Sequence, residues 1–212
     1  MSNNNIEYIL EKLTELFPNA GCELVYHNIF ELVIAVSLSS QTTDKAVNKI
    51  TPILFEKYPD VYALAKADIL DVEHILKPLG MSKQKSKNIV ALSQILIDKY
   101  NGIVPNSQEA LESFPGVGRK TANVVMTEGF HIPRLPVDTH VERVSKRMGL
   151  VLETDNTLNT ELKLMKLIEK DQWHKAHHLL LFMGRYKCFA KNPKCDDCFY
   201  KQHCKYDKKP LS

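Results

Sequence analysis

Apolar residues recur at three- and four-residue steps along much of the chain, the spacing that places them on one face of a helix. The first such stretch, from Ile6 to Phe17, is expected to end near Pro18, and a long apolar run, ELVIAVSLS, follows Asn28. Because Asn28 has the character of an N-cap with Glu31 as its acidic third residue, we interpret this run as a buried helix rather than a strand. Further helices are predicted over 43–58, 68–76, 86–100, 158–168 and 173–182. The sequence contains no two-residue alternation flanked by hairpin turns, so the predicted fold is all-α.

The stretch SQEALESFPGVGRKTANVVMTEG, residues 107–129, predicts two helices joined by a tight hairpin. Pro115 ends the first helix because proline cannot continue a helix without losing a backbone hydrogen bond, and the second is expected to start directly after Gly118. The turn glycines can adopt positive φ or let another backbone approach closely. Since the first N–H groups of a helix lack intrahelical acceptors and lie at the positive end of its dipole, the hairpin can hold a phosphate. By itself the pattern is equally that of a helix-turn-helix corner with two solvated basic residues, Arg119 and Lys120.

The composition is that of an ordinary globular protein, and 212 residues are enough for one large domain or two small ones. The N-terminus has no basic start followed by an apolar core, and no apolar run approaches the roughly 18 residues of a membrane span, so we expect a cytoplasmic protein without a membrane partner. The net charge of +3 is too small to indicate a nucleic-acid partner. It is unevenly distributed, because the segment 185–209 holds eight Lys or Arg against three Asp. Such a basic end fits a phosphate-binding surface or a solvated tail.

Four of the five cysteines lie close together near the C-terminus, in the pattern C-x6-C-x2-C-x5-C. This clustering is a poor disulfide framework for a cytoplasmic protein and indicates a metal or cluster site. Structural zinc also accepts four thiolates, but it usually draws on two close pairs, and only one C-x2-C is present. The fifth, Cys22, lies apart and is expected to be a buried or half-buried apolar residue. The clustered residues are Cys188, Cys195, Cys198 and Cys204.

The motifs L-x-x-F-P-G-V-G-R-K-T-A-N-V-V and V-D-T-H-V-x-R-V resemble those of the endonuclease III family of helix-hairpin-helix DNA glycosylases. By that resemblance Lys120 is the catalytic nucleophile, Asp138 is its partner, and the four clustered cysteines ligate a [4Fe-4S] cluster. A lysine suits the chemistry because its amine can attack C1′ of the sugar and become an imine, and a first-turn position disfavours extra positive charge on it. Asp138 also has the character of a helix cap, followed by a Thr139-x-x-Glu142 capping box.

The same resemblance implies which residues contact DNA. Gln41 would enter the space left by a flipped nucleotide, and Met81 would wedge into the opposite strand. The segment 81–84 has no aromatic residue, whereas the corresponding segment typical of the family contains one. Further DNA contacts are expected at Gly116, Val117, Gly118, Arg119 and Lys191. A basic surface beside the cysteines is expected from Arg185, Lys187, Lys191, Lys194 and Lys201.

The family's architecture would divide the chain into two helical domains flanking a DNA-binding cleft. One is a six-helix domain, 22–132, with the hairpin at about 107–129; the other is discontinuous, 1–21 plus 133–212, with the cluster loop at 188–204. The implied function is that of a monomeric bifunctional DNA glycosylase/AP lyase acting on oxidised pyrimidines or abasic sites in double-stranded DNA. Two alternatives are an adenine-mismatch glycosylase, a branch that lacks the lysine, and a non-catalytic hairpin module in which Lys120 only contacts phosphate.

Overall fold

The computed structural model describes the backbone of residues 3–206 and the side chains of residues 6–206. All regular structure in this range is helical, which confirms the predicted all-α class. Two 3-10 turns (Lys77–Leu79 and Lys170–Gln172) and a π-helical turn (Val125–Gly129) accompany the α-helices. The α-helices are α1 (Asn3–Leu16), α2 (Ile29–Leu38), α3 (Asp44–Lys57), α4 (Val61–Ala65), α5 (Ile69–Leu76), α6 (Ser82–Tyr100), α7 (Gln108–Glu112), α8 (Arg119–Val124), α9 (Thr139–Arg147), α10 (Thr157–Leu167) and α11 (Trp173–Tyr186).

The chain forms two compact units. Within the described residues, one unit takes in 3–22 and 133–206, and the other takes in Glu23–Ile132. No helix within residues 3–206 combines the length and the apolar character that a membrane span needs.

The unit Glu23–Ile132 is built around α2 and α6. The side chain of Asn28 accepts a hydrogen bond from the Glu31 amide at 2.9 Å, which caps α2 and confirms that the apolar run forms a helix. Helix α6 packs against α4 and α5 and closes the other side of the core. The fully buried side chains of this core include Ile34, Leu38, Leu54, Leu76, Leu92, Leu96 and Leu111.

The other unit combines α1 with α9, α10 and α11, and its core joins apolar residues from both ends of the chain. Helices α9 and α11 approach each other closely at Gly184, where an added Cβ would lie 2.7 Å from Cβ of His140. Only glycine fits this contact without displacing a helix. The deeply buried residues include Ile9, Leu13, Val141, Val144 and Leu180.

Three helices differ from the sequence prediction. Helix α6 begins at Ser82, one turn before the predicted start, because its first turn is polar on most sides and carries no apolar periodicity. Helix α11 continues to Tyr186, one turn beyond the predicted end. Helix α4 was not predicted, since five residues are too few to show a period; the Asp60 side chain caps it by accepting from the Ala63 amide at 2.7 Å.

Candidate active site and metal centre

The hairpin between α7 and α8 is closed by a backbone hydrogen bond from the Val117 amide to the Phe114 carbonyl at 3.1 Å. Gly116 has a φ of +78°, and a Cβ there would lie 2.6 Å from Nδ2 of Asn88. Both the backbone conformation and the neighbouring amide therefore require glycine at this position. The side chain of Val117 is buried in the core, and its amide donates to the Phe114 carbonyl. This residue therefore stabilises the conformation of the turn.

The exposed side of the hairpin is formed by Gly118 and Arg119. Gly118 is the N-cap of α8 in an extended conformation, has no side-chain cap, and has no atom within 4 Å of the position where a Cβ would stand. An approaching phosphate would therefore meet backbone rather than side chain. The Arg119 guanidinium is 3.9 Å from the Glu112 carboxylate, and both side chains are more than a third exposed, so this pair contributes little to stability.

Lys120 lies in the first turn of α8, two residues after the N-cap, and is half-buried. The positive end of the helix dipole is at this turn, and this partial charge disfavours a positive charge on the nearby Lys120 amine. The helix continues without interruption into the π-helical turn Val125–Gly129.

Asp138 is the N-cap of α9. Its Oδ1 accepts hydrogen bonds from the amides of His140 and Val141, both at 2.9 Å, and its Oδ2 lies 3.1 Å from Nδ1 of His140. The carboxylate is therefore fixed in orientation while about a fifth of the side chain stays exposed, at 20%. The predicted capping box from Thr139 to Glu142 is wrong, because Asp138 occupies the cap one residue earlier and Glu142 instead pairs with Lys146 at 2.7 Å.

Gln41 and Met81 are both exposed and both adopt left-handed backbone conformations, with φ of 56° and 49°. A non-glycine residue in this region costs roughly 1–2 kcal/mol. Gln41 lies between α2 and α3, and Met81 is the N-cap of α6 with 55% of its surface exposed. Strain of this kind in an exposed loop is more common at functional positions than elsewhere.

The four C-terminal cysteines line one cavity of about 320 Å³. All four are half-buried and none is in a disulfide. The amide of Cys188 donates to the Met183 carbonyl at 2.7 Å, and that of Cys198 donates to the Cys195 carbonyl at 3.3 Å, so short turns hold the thiols around the cavity. A set of four cysteines around one cavity fits an iron–sulfur cluster, which takes four thiolate ligands.

Two arginines on α9 hold the start of the cysteine loop. Arg143 donates from Nε to the Cys188 carbonyl at 3.1 Å and from Nη2 to the Gly184 carbonyl at 2.9 Å. Arg147 donates from Nη1 to the Phe189 carbonyl at 2.7 Å. Neither arginine was assigned a role from the sequence. Their four-residue spacing, which places both on one face of a helix, was the available signal.

The expected basic surface near the cysteines is only partly formed. Lys187 is buried, and its Nζ pairs with the Asp197 carboxylate at 2.8 Å, a hydrogen bond that lowers the pKa of Asp197. Including Lys187 in an exposed basic surface was therefore wrong. Lys191 and Lys194 are exposed, and Lys194 lies over the ring of Phe189.

The chain matches a known family over most of its length. The family model described as "HhH-GPD superfamily base excision DNA repair protein" matches residues 34–170. Endonuclease III of Bacillus subtilis (strain 168) is 45% identical over 210 residues, which cover 97% of this chain and 96% of that protein. Endonuclease III of Escherichia coli (strain K12) is 39% identical over 201 residues, which cover 95% of each.

Solved structures agree with this assignment. A non-covalent endonuclease III–DNA complex superposes with a TM-score of 0.94 at 45% identity, covering 97% of this chain and 96% of that one. A trapped endonuclease III–DNA covalent intermediate gives 0.93 at the same 45% identity and the same coverage, 97% and 96%. A thermostable thymine-DNA glycosylase gives 0.83 at 23% identity, covering 96% and 97%, which supports the fold alone. With a matched segment longer than half the chain and near-full-length relatives at 39–45% identity, the chain belongs to the helix-hairpin-helix superfamily of base excision DNA repair proteins and, within it, to the endonuclease III family of DNA glycosylase/AP lyases.

Proposed function

We propose that this protein removes oxidised pyrimidines from double-stranded DNA and then cleaves the strand on the 3′ side of the abasic site by β-elimination through a lysine imine. The observation that carries this proposal is the placement of Lys120 in the first turn after a glycine hairpin. A relative 45% identical to this chain has been trapped as a covalent intermediate with DNA, which supports an amine nucleophile.

In the proposed reaction the neutral amine of Lys120 attacks C1′ of the damaged nucleotide while the bond from C1′ to the base breaks. The base leaves with the electron pair of that bond and takes up a proton. Opening of the sugar ring then gives an imine between Nζ and C1′, which acidifies the proton on C2′. Loss of that proton expels the 3′ phosphate and leaves the protein attached to the 5′ fragment until water hydrolyses the imine.

Asp138 is proposed to stabilise the positive charge that develops on the sugar and to help deprotonate the amine. A carboxylate beside a lysine raises the pKa of the lysine, so the benefit of Asp138 lies in the transition state rather than in the resting protein. Its two amide hydrogen bonds support this role, because a carboxylate that is already oriented loses little freedom on reaction.

DNA binding is proposed to use the backbone of Gly116 and Gly118 together with Arg119 and the exposed Lys191. Gln41 and Met81 would fill the space that a flipped nucleotide leaves in the stack. Their exposed positions and left-handed backbone conformations support this proposal.

The four cysteines that line the cavity, Cys188, Cys195, Cys198 and Cys204, are proposed to hold a [4Fe-4S] cluster. When bound, the cluster supplies iron–thiolate bonds that cross-link the loop 188–204. The proposed role is structural, with the loop presenting Lys191 and Lys194 to DNA phosphates.

Borohydride trapping tests the proposal directly, because it reduces an imine to a stable adduct. The wild-type protein should be trapped on duplexes that contain thymine glycol and on duplexes that contain a plain abasic site. The variant Lys120→Gln should bind both duplexes without forming an adduct, whereas Arg119→Gln, its neighbour, should still be trapped. An adduct on the abasic duplex alone would remove the glycosylase activity from the proposal, and no adduct on either would leave a DNA-binding module.

A further inference from the structure

Lys85 is a buried cation that the proposed chemistry does not use. Only 6% of its surface is exposed, and its Nζ donates one hydrogen bond, to the Leu79 carbonyl at 3.2 Å. No carboxylate among the described residues pairs with it, and burial lowers the pKa of Lys85. Burying an ammonium group without a counter-charge opposes folding, so a methionine of similar length would be the more stable occupant. The presence of lysine therefore calls for a role other than stability.

The contacts of Lys85 lie on both sides of the exposed Met81. Its side chain holds the carbonyl of Leu79, two residues before Met81, while its backbone amide donates to the carbonyl of Met81 itself at 3.0 Å. Between these two contacts are Gly80, with φ of 69°, and Met81, with φ of 49°. Gly80 has open space where a Cβ would stand, so no neighbouring side chain limits its backbone. The hydrogen bond from Lys85 is thus a polar side-chain restraint on a loop that glycine makes flexible, in addition to the buried Leu79 side chain.

The same helix reaches the hairpin one turn later. The side-chain Nε2 of Gln84 donates to Oδ1 of Asn88 at 2.7 Å, and Nδ2 of Asn88 is the atom that lies against Gly116. The first two turns of α6 therefore carry the loop 79–81 at one end and contact the hairpin turn at the other. Because α6 contacts both, a loop 79–81 that is held against α6 also keeps a constant distance from the hairpin turn at Gly116.

We propose that Lys85 is a positioning residue that holds the loop 79–81 in the conformation that presents Met81 to the DNA strand opposite the flipped nucleotide. This inference rests on the wedge role proposed for Met81. A loop that is ordered before binding loses less conformational entropy when it enters the DNA, so the restraint increases the preference for damaged over intact duplex.

The test compares Lys85→Met with Lys83→Met, since Lys83 is exposed and lies on the same turn of the same helix. The probe is a duplex with a tetrahydrofuran abasic analogue opposite 2-aminopurine, whose fluorescence reports unstacking of the opposite base. Lys85→Met should lower the preference for this duplex over intact DNA by about tenfold and reduce the fluorescence change. Its melting temperature should be equal to or higher than that of the wild type, because the unpaired buried charge is gone. Lys83→Met should leave both the preference and the fluorescence change as in the wild type.

A double-mutant cycle with Met81→Ala separates this inference from the wedge itself. If Lys85 acts through Met81, adding Lys85→Met to Met81→Ala should change the preference no further. Additive losses, or a Lys85→Met variant with wild-type fluorescence, would overturn the positioning role. Wild-type behaviour of Met81→Ala alone would instead overturn the wedge proposed for Met81. Should Lys85→Met not fold, Lys85→Gln removes the same contact with a shorter polar chain, and the same outcomes apply.

Discussion

Nη1 of Arg147 donates a hydrogen bond to Sγ of Cys188 at 3.3 Å. The same guanidinium lies 3.9 Å from the ring centre of Tyr206, and the Arg147 carbonyl accepts from the Lys205 amide at 2.8 Å. One residue of α9 thus contacts the chain at both ends of the cysteine loop, next to its first cysteine and just after its last. Its charge also lies beside a sulfur that would be a thiolate in the proposed cluster.

Replacing Arg147 should weaken cluster binding. Arg147→Met removes the side-chain contacts to the Cys188 sulfur, the Phe189 carbonyl and the Tyr206 ring, while the backbone hydrogen bond from Lys205 remains. Outer contacts of this kind typically contribute about 10- to 100-fold to metal affinity. Arg147→Lys keeps the charge but not the planar fork, so it should give an intermediate loss. Iron content per protein after exposure to a chelator measures the effect. Equal iron retention in Arg147→Met and the wild type would contradict the expectation.

The fifth cysteine, Cys22, provides a control for the assignment of the four cluster ligands. Cys195→Ser should give colourless protein that folds poorly, because a cluster ligand and a loop cross-link are lost together. Cys22→Ser changes a half-buried thiol far away in sequence and should leave the brown colour and the iron content unchanged. Visible absorbance and iron analysis of the two purified variants provide the comparison. A brown, iron-loaded Cys195→Ser protein would remove this residue from the ligand set.

The two roles of Asp138 can be separated by substitution. Asparagine is as good an N-cap as aspartate, so Asp138→Asn should keep both amide hydrogen bonds and melt like the wild type. Because it removes the negative charge, it should slow base excision by about 10²- to 10⁴-fold. Asp138→Ala should lose activity to a similar degree and in addition lose about 1 kcal/mol of stability, since the cap is gone. Single-turnover excision and thermal unfolding of both variants decide the matter; a fully active Asp138→Asn would leave only the cap.

The two hairpin glycines should respond differently to alanine. At Gly116 an added Cβ meets Asn88 and a φ of +78°, so Gly116→Ala should lower the free energy of unfolding by at least about 1–2 kcal/mol. Gly118 has an extended backbone and open space, so Gly118→Ala should fold with wild-type stability. Its methyl group would stand where the proposed phosphate approaches, and its affinity for abasic-analogue DNA should fall. Normal DNA affinity in Gly118→Ala would place the phosphate elsewhere on the hairpin.

Acid sensitivity should arise in part from Asp155, a buried carboxylate before α10. Lys163 donates to both of its oxygens at 2.7 Å, and this interaction, the largest cause, lowers the pKa of Asp155 from 3.8. A carboxyl with a lowered pKa in the folded state stabilises the fold above its unfolded pKa. The stabilisation should therefore be complete above about pH 5 and be lost progressively below about pH 4, as the pH falls through the lowered pKa of the folded state.

Urea unfolding across this range tests the expectation. Asp155→Asn should be less stable than the wild type at neutral pH, and the difference should shrink as the pH falls below about 4. Glu56→Gln, which changes an exposed carboxylate, is the matched control and should follow the wild type at every pH. A pH-independent difference between Asp155→Asn and the wild type would mean that Asp155 contributes through packing rather than charge.

Much of the local structure follows from short-range rules. Asn28 caps the start of α2, and α7 ends at Glu112, three residues before Pro115, because a cap or a proline acts on the backbone next to it. The hairpin motif and the cysteine spacing identified the family for the same reason, since both are contiguous in sequence. The roles given to Lys120, Asp138 and the DNA-contacting residues stay predictions.

The chain alone thus determined the helical class, most helix positions and the family, all of which depend on neighbours within a few residues. The tertiary structure decided which residues are buried and which distant residues are in contact. The burial of Lys85 and Lys187, the contact of Asn88 with Gly116, and the hydrogen bond from Arg147 to Cys188 all join residues whose proximity no local pattern encodes. Composition cannot distinguish a solvated lysine from a buried one, because burial is set by the packing of whole helices.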